Sequence, residues 1–425
     1  MSGARRGSGP LALLRDGAYL RLWLAGALLG TMRWLEVLGV ALWTLAETRS
    51  PFAVAMMLFA RMIPMVIFGV LMGTLADRVD RRRLLVSGVS ATLASTALLL
   101  ALVLGGWLAP WQVALGAFVS GTVWTMEHPV RRALIADRVG LDRIGVAMSL
   151  DSATFNATRM TGPLLGGAVY ALLGLPGIFC TGLALYTLTL IALATLAMRE
   201  TASQEPRRES HHEPRHEPHH ERFLPALGQG LAHVRASPVL AGVMVITVVT
   251  NLFGFSYTSM APVIGERVLG LDPFFVGVLM SMEGLGALLG ALFLAFVIRP
   301  PAYGRVFVCG ALLFVAMVLA FSASASAPLS MLALFLAGLG LAGFGSMQST
   351  LLIANSAPAI RSRVMGVLVV CIGAGPPGVL LVGLLGERFG AATALTITAS
   401  VGVASLVLAA WIWRVLWRRA PAQSA

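Results

Sequence analysis

Seven ionisable side chains stand inside the most apolar stretches of this chain: Arg33, Glu36, Arg61, Glu127, Asp151, Arg159 and Glu283. A charge placed in hydrocarbon costs on the order of 2.5–3.5 kcal/mol, so each is expected to face a polar cavity or an opposite charge. Carboxylates so placed can take up and release a proton, which makes Glu36, Glu127 and Glu283 the proton-binding candidates. Arg33, Arg61, Arg159 and Asp151 are the expected charge partners. Arg33 and Glu36 are three residues apart on one helix face and are predicted to pair with each other. Glu283, in "LMSMEGLGALLG", has no partner near it in sequence and is the best proton carrier of the three. The chain has no nucleophile elbow, phosphate loop or metal-ligand motif, so an enzyme is not expected, nor is a cofactor.

The elements that position these charges follow from composition. The chain has 425 residues, of which 57% are hydrophobic and only 12% charged, with a mean hydropathy of +0.84. So few charges cannot cover a soluble body of this length, and long apolar runs without alternation select helices in a bilayer. The predicted fold is an all-α integral membrane protein of 12 transmembrane helices in two pseudo-symmetric six-helix bundles. Residues 1–18 read as an N-terminal tail, 19–198 as the first bundle, 199–237 as a linker, 238–415 as the second bundle and 416–425 as a C-terminal tail. The start lacks a cleavable signal pattern, so the first span is expected to remain. Cys180, Cys309 and Cys371 fall inside apolar spans and are expected to be small core residues.

Every basic residue is an arginine, and alternate turns collect nearly all of them. That asymmetry places both termini in the cytoplasm by the positive-inside rule, with a bacterial cytoplasmic membrane as the expected location. It also accounts for the net charge of +12 without any nucleic-acid partner. The tract "RRESHHEPRHEPHHER" lies midway, between the sixth and seventh spans. His211, His212, His216, His219 and His220 are weak metal candidates there, but the prolines and charges predict an extended joining segment, and no metal site is assigned.

Local motifs sharpen the class. After the second span comes "GTLADRVDRRRLL", which resembles the signature loop G-x-L-x-D-R-x-G-R-R of the major facilitator superfamily. Gly73, Leu75, Asp77, Arg78, Arg81 and Arg82 match, while Asp80 replaces a glycine. "RMTGPLLGG" in the fifth span is similar to the G-P-x-x-G-G element of exporters in that superfamily, with Gly162, Pro163, Gly166 and Gly167 matching. "EHPVRRALIADRV" and "RSRVMGVL" resemble segments of the bacterial efflux branch that includes the enterobactin exporter and macrolide efflux proteins. The fourth span reads "VSGTVWTME" and lacks the arginine that better-known drug/proton antiporters carry there.

The resemblance implies a secondary active transporter, a proton-coupled exporter of an amphipathic small molecule such as a drug or siderophore, working by alternating access as a monomer. Its partners are then substrate, protons and the lipid bilayer. Trp34, Asn156, Asn251, Phe255, Tyr257 and Gln348 are the candidates for lining the substrate cavity, and "GAGPPG" at 373–378 is expected to bend the eleventh span. Two alternatives stand beside this reading: a metabolite or metal-linked transporter using the histidine tract, and a non-transporting membrane sensor on the same fold.

Overall fold

The computed structural model describes residues 13–139, 143–195, 223–298 and 300–417, with side chains for all of these except 70–78, 223–227, 300 and 359. The histidine tract therefore lies outside the described residues, as do the side chains of Leu75, Asp77 and Arg78. The described chain is a succession of helices, because in lipid every backbone N–H and C=O must find its partner within its own segment. Among the described residues ten helical stretches are long and apolar enough to cross a membrane.

Helix α1 (Gly17–Thr48) starts where the Asp16 carboxylate accepts hydrogen bonds from the Ala18 and Tyr19 N–H groups. It ends at Arg49, whose φ of 53° turns the chain into α2 (Pro51–Arg78). Asp80 occupies the position of the missing glycine and caps α3 (Arg81–Leu104) by accepting from the Arg83 N–H at 2.7 Å. Then come α4 (Pro110–Val139) and a run of 51 residues, α5 (Ile144–Ala194), which folds back at Gly174. There φ is 62° and ψ −158°, a conformation only glycine adopts without strain, and Pro176 follows at once. This is the predicted "LGLPG" turn, so α5 consists of two arms.

The second part opens with α6 (Phe223–Ala236), inside the stretch expected to be linker. Apolar residues on one face dock it: Val234 is buried, and Gly230 lies against the backbone of Arg363. Next is α7 (Pro238–Val249), a π-helical turn over Thr250–Gly254, and α8 (Tyr257–Arg267). The remaining helices are α9 (Pro273–Val297), α10 (Tyr303–Ala323), α11 (Ala327–Ala354), α12 (Arg361–Ile372), α13 (Gly375–Phe389) and α14 (Ala391–Ile412). The break between α12 and α13 is the bend that "GAGPPG" predicts.

Two buried apolar clusters organise the packing. One joins α1, α3, α4 and α5 through Met32, Leu85, Ile178 and Phe179. The other joins α7 to α14 through Val243, Ile264, Phe314 and Leu395. Leu38, Ala41, Leu42 and Leu45 of α1, with Val54 and Ala55 of α2, belong to the second cluster. The helix ends on either side of the α1–α2 turn thus pack against the opposite body and seal that end of the molecule.

The cysteines depart from expectation. Cys180 and Cys309 are exposed and Cys371 is half-buried. Lipid is as apolar as a protein core, so apolar neighbours in sequence do not tell an inward from an outward position. Phe296 and Leu172 are outward in the same way.

Candidate functional site

The intramembrane charges pair across helices. Arg33 does not bond Glu36; its Nη2 donates to Glu127 on α4 at 2.9 Å. Glu36 instead accepts from Arg61 of α2 at 3.1 Å, with the Ser120 hydroxyl at 3.5 Å. The prediction of a local Arg33–Glu36 pair fails because side chains three residues apart share a face but need not turn toward each other. Facing helices offered each residue a partner with a better approach. Arg33 also stacks over the Trp124 ring at 4.8 Å.

The network continues through a residue that the sequence placed among the topogenic arginines and in the segment "EHPVRRALIADRV". Arg131 is 5% exposed and holds both Glu127, at 2.6 Å, and Asp151. Asp151 also accepts from Arg132 at 2.8 Å. Glu127 and Arg131 are four apart, the spacing at which an acid followed by a base pairs on a helix, so a signal was present. Gly26 makes room for this clasp: a Cβ there would lie 2.5 Å from the guanidinium carbon of Arg131.

Glu283 finds its partner across the molecule. Arg159 of α5 donates to it from Nη2 at 2.5 Å, and the guanidinium lies 5.1 Å from the Trp34 ring. This ion pair joins the two apolar bodies. Its side chains are 11% and 4% exposed, so it is shielded from the bulk dielectric. The glycine motif brings the helices together beside it. Cβ atoms at Gly162 and Gly166 would strike α1 at Trp34 and Leu35. One at Gly167 would lie 2.5 Å from the Pro273 carbonyl, and one at Gly277 would lie 2.5 Å from the Pro163 carbonyl. The motif therefore packs α5 against α1 on one side and α9 on the other. At the same sealed end the Ser50 hydroxyl donates to Glu387 at 2.7 Å.

Gly277→Val follows as a test of that seam. The branched side chain meets backbone on α5, and overpacking of this kind costs about 1–3 kcal/mol. The sealed end should open, raising the thiol-labelling rate of a Ser50→Cys reporter roughly 5-fold or more in a background lacking the native cysteines. An unchanged labelling rate would mean that the seam does not hold this end shut.

Away from the seal, the two bodies part around a cavity of about 430 Å³. Asn156, Asn251, Phe255 and Gln348 line it, as the sequence suggested. The π turn after α7 presents Asn251 and Phe255, and Gln348 is fixed by donating to the Thr247 hydroxyl at 2.8 Å. π turns recur at functional sites because they re-aim side chains without ending the helix. Tyr257 does not line the cavity: it is buried in the second apolar cluster, 6.0 Å from the Phe314 ring. Trp34 is absent from the wall too and serves as the stacking platform for Arg159. The walls missed by the sequence reading include Arg132, Ser152, Phe155 and Phe344.

The arginine loop braces the open end. Arg82 donates to the carbonyls of Leu193 and Ala194 at 3.0 and 2.7 Å, and Arg81 pairs with Asp137 at 2.6 Å. The carbonyls Arg82 satisfies are those left free at a helix C-terminus, where a cation is favoured. Among the described residues no group of three or more metal-ligating side chains occurs.

Two helical bodies enclosing a cavity that is sealed at one end and bridged by an ion pair make up a membrane-transporter fold. The chain belongs to the transmembrane secretion effector family of the major facilitator superfamily, whose family model matches residues 8–421. A curated relative, the Staphyloferrin A transporter of Staphylococcus aureus (strain NCTC 8325 / PS 47), is 22% identical over 267 residues, 63% of this chain. The matched segment spans 64% of that relative's length. Among solved structures, the nucleoside transporter NupG (D323A mutant) superposes with a TM-score of 0.72 at 12% identity, covering 94% of this chain and 100% of that one. A bacterial homologue of the human lysosomal transporter Spinster, inward-facing and unoccupied, gives 0.70 at 15% identity over 96% and 100%. The POT family transporter PepTSo gives 0.74 at 12% over 94% and 98%. These likenesses concern the fold.

Proposed function

We propose that this transporter exports an amphipathic small molecule, a drug or a siderophore, by proton-coupled alternating access. The carrying observation is the Arg159–Glu283 pair, which ties the two bodies together where Arg159 meets the cavity. A proton on Glu283 removes the charge that holds Arg159 and loosens the α5–α9 contact; re-pairing expels the proton. One titration thereby acts on the interface that must rock for access to alternate. The name of the Staphylococcus aureus relative favours a siderophore, and the family's description as a secretion effector favours export.

The same reading counts twelve spans in two six-helix bundles, 19–198 and 238–415. The two arms of α5 and the 30-residue α4 supplement the apolar helices already counted. The separation into two apolar clusters supports the division. With the arginine-rich end in the cytoplasm of a bacterium, both termini are cytoplasmic and the cavity opens inward. The protein works as a monomer, without a cofactor, the proton gradient supplying the energy.

Reconstituted vesicles test this. Efflux of a candidate drug or siderophore should fall to the passive rate when a protonophore collapses the gradient. Efflux that continues unaltered would sink the proton-coupled mechanism.

A further inference from the structure

The cavity wall has a charge composition that narrows its ligand. Its ionisable lining residues are Arg132 and Arg159, and neither Asp nor Glu is among the lining residues. The buried network behind it contains five guanidinium groups, Arg33, Arg61, Arg131, Arg132 and Arg159, against four carboxylates, Glu36, Glu127, Asp151 and Glu283. One positive charge is left over. The place where it surfaces is Arg132, whose side chain is 37% exposed while its carboxylate partner Asp151 is 2% exposed and shared with Arg131.

We infer that the transported molecule is an organic anion whose carboxylate, or another compact oxyanion, is received by Arg132 and Arg159. This rests on the reading of the cavity as the substrate site. A surplus cation on a low-dielectric wall is a standing attraction for an anion and repels a cation before contact. Guanidinium offers the planar fork that matches a carboxylate, and both arginines have capacity to spare. The bond from Arg132 to Asp151 uses Nε. Arg159 engages Glu283 through Nη2, and its buried Nε has no acceptor. The rest of the wall fits the body of such a molecule. Phe155, Phe255 and Phe344 supply apolar and aromatic surface, and Asn251 and Gln348 supply amides that orient without adding charge. A volume of about 430 Å³ is within the range of small-molecule sites. An arginine at this depth has a plainer explanation as a topogenic charge near the interface. That explanation predicts a charge that does not discriminate among cavity ligands.

Three fluorescent probes of one body and different charge decide the matter: N-dansyl-glutamate, N-dansyl-glutamine amide and dansyl-cadaverine. They are dialysed to equilibrium against the purified full chain in detergent, with empty micelles as the baseline. The anion should bind at least ~10-fold tighter than the neutral amide, as expected when a charged group gains a charge-assisted partner, and the cation weakest. Arg132→Gln should cut anion affinity about 10-fold and leave the neutral amide unchanged. Ser346→Glu places an acid at an exposed position on the same wall, with little risk to folding, and should reduce the anion preference by a similar factor. A cation that binds as tightly as the anion overturns the inference. So does an anion preference that survives both substitutions, and so does a failure of all three probes to bind above the micelle baseline. The transport reading fails separately. If vesicles pump neutral or cationic compounds with no preference for anions, the exporter stands and the anion site falls. If the anion binds but no compound is moved under any gradient, the site stands and the exporter falls.

Discussion

Glu283→Gln is expected to abolish gradient-driven efflux while leaving substrate exchange across the same vesicles intact. The amide has the shape of the carboxylate and its carbonyl still accepts from Arg159, whose Nη2 lies 2.5 Å from Glu283 in the native pair. The fold should therefore persist, with the α5–α9 contact fixed in the loosened form that a protonated Glu283 gives. The variant loses the ability to alternate between a charged and a neutral form, so binding and release of a proton no longer alter the pair. It also leaves the Arg159 charge without its carboxylate. Replacing an ionic hydrogen bond by a neutral one is worth roughly 1–2 kcal/mol, so pumped efflux should fall about 5- to 30-fold on this term alone. Exchange of labelled for unlabelled substrate needs no proton cycle and should stay within about 2-fold of the parent. The comparison separates two roles. A Glu283 that merely clasps the bodies together would slow exchange and pumping alike. Full pumping in the Gln variant would remove this residue from coupling, leaving Glu36 and Glu127 to be tested next.

The sequence and the structure diverge in an instructive way at these charges. That Glu283 needed a distant partner could be read from its apolar surroundings, since an isolated carboxylate there is too costly to tolerate. Which partner it takes is decided by the seam between α5 and α9. That seam rests on Gly167 and Gly277, residues 110 positions apart in the chain. Helical class, the turn at Gly174 and the break at 373–378 were legible because glycine, proline and apolar run length act locally. Arg33 and Glu36 were misjudged because local spacing was allowed to decide a choice that belongs to tertiary contacts. The cysteines were misjudged for a reason peculiar to bilayers: an apolar residue is at home on either side of the helix. Cavity residues on the π turn after α7 and on α11 were half legible, since amides in apolar helices are conspicuous. Tyr257 was equally conspicuous and went into the core instead. Arg131 and Arg132 are adjacent, yet one is sealed in the network and the other reaches the cavity. A helix turns about 100° per residue, so neighbours in sequence point to different surroundings.

Arg131→Met should be the most damaging single change to stability. Arg131 stands between Glu127 and Asp151 with 5% of its surface exposed, and removing it strips one cation from two buried carboxylates at once. Each keeps one partner, Arg33 for Glu127 and Arg132 for Asp151, so neither is left bare. The four remaining groups nevertheless carry no surplus charge, and the thioether cannot replace the hydrogen bonds. Breaking a buried ion pair by removing one member typically costs about 3–5 kcal/mol. Methionine fills most of the space without adding a polar group, so the loss reports electrostatics more than packing. The melting temperature in detergent is expected to fall by roughly 5–10 °C. A second substitution gives the cause away. In Arg131→Met/Asp151→Asn the acid that lost a partner is neutral and its remaining partner Arg132 is 37% exposed to solvent, so about half of the deficit should return, because a buried amide short of a partner is less costly than a buried charge short of one. If the double variant melts at or below the single one, the deficit comes from lost packing against Gly26, where the guanidinium fills the gap left by the missing Cβ. If Arg131→Met melts with the parent, Arg33 and Arg132 alone satisfy both acids, and the network is redundant where it looks most connected.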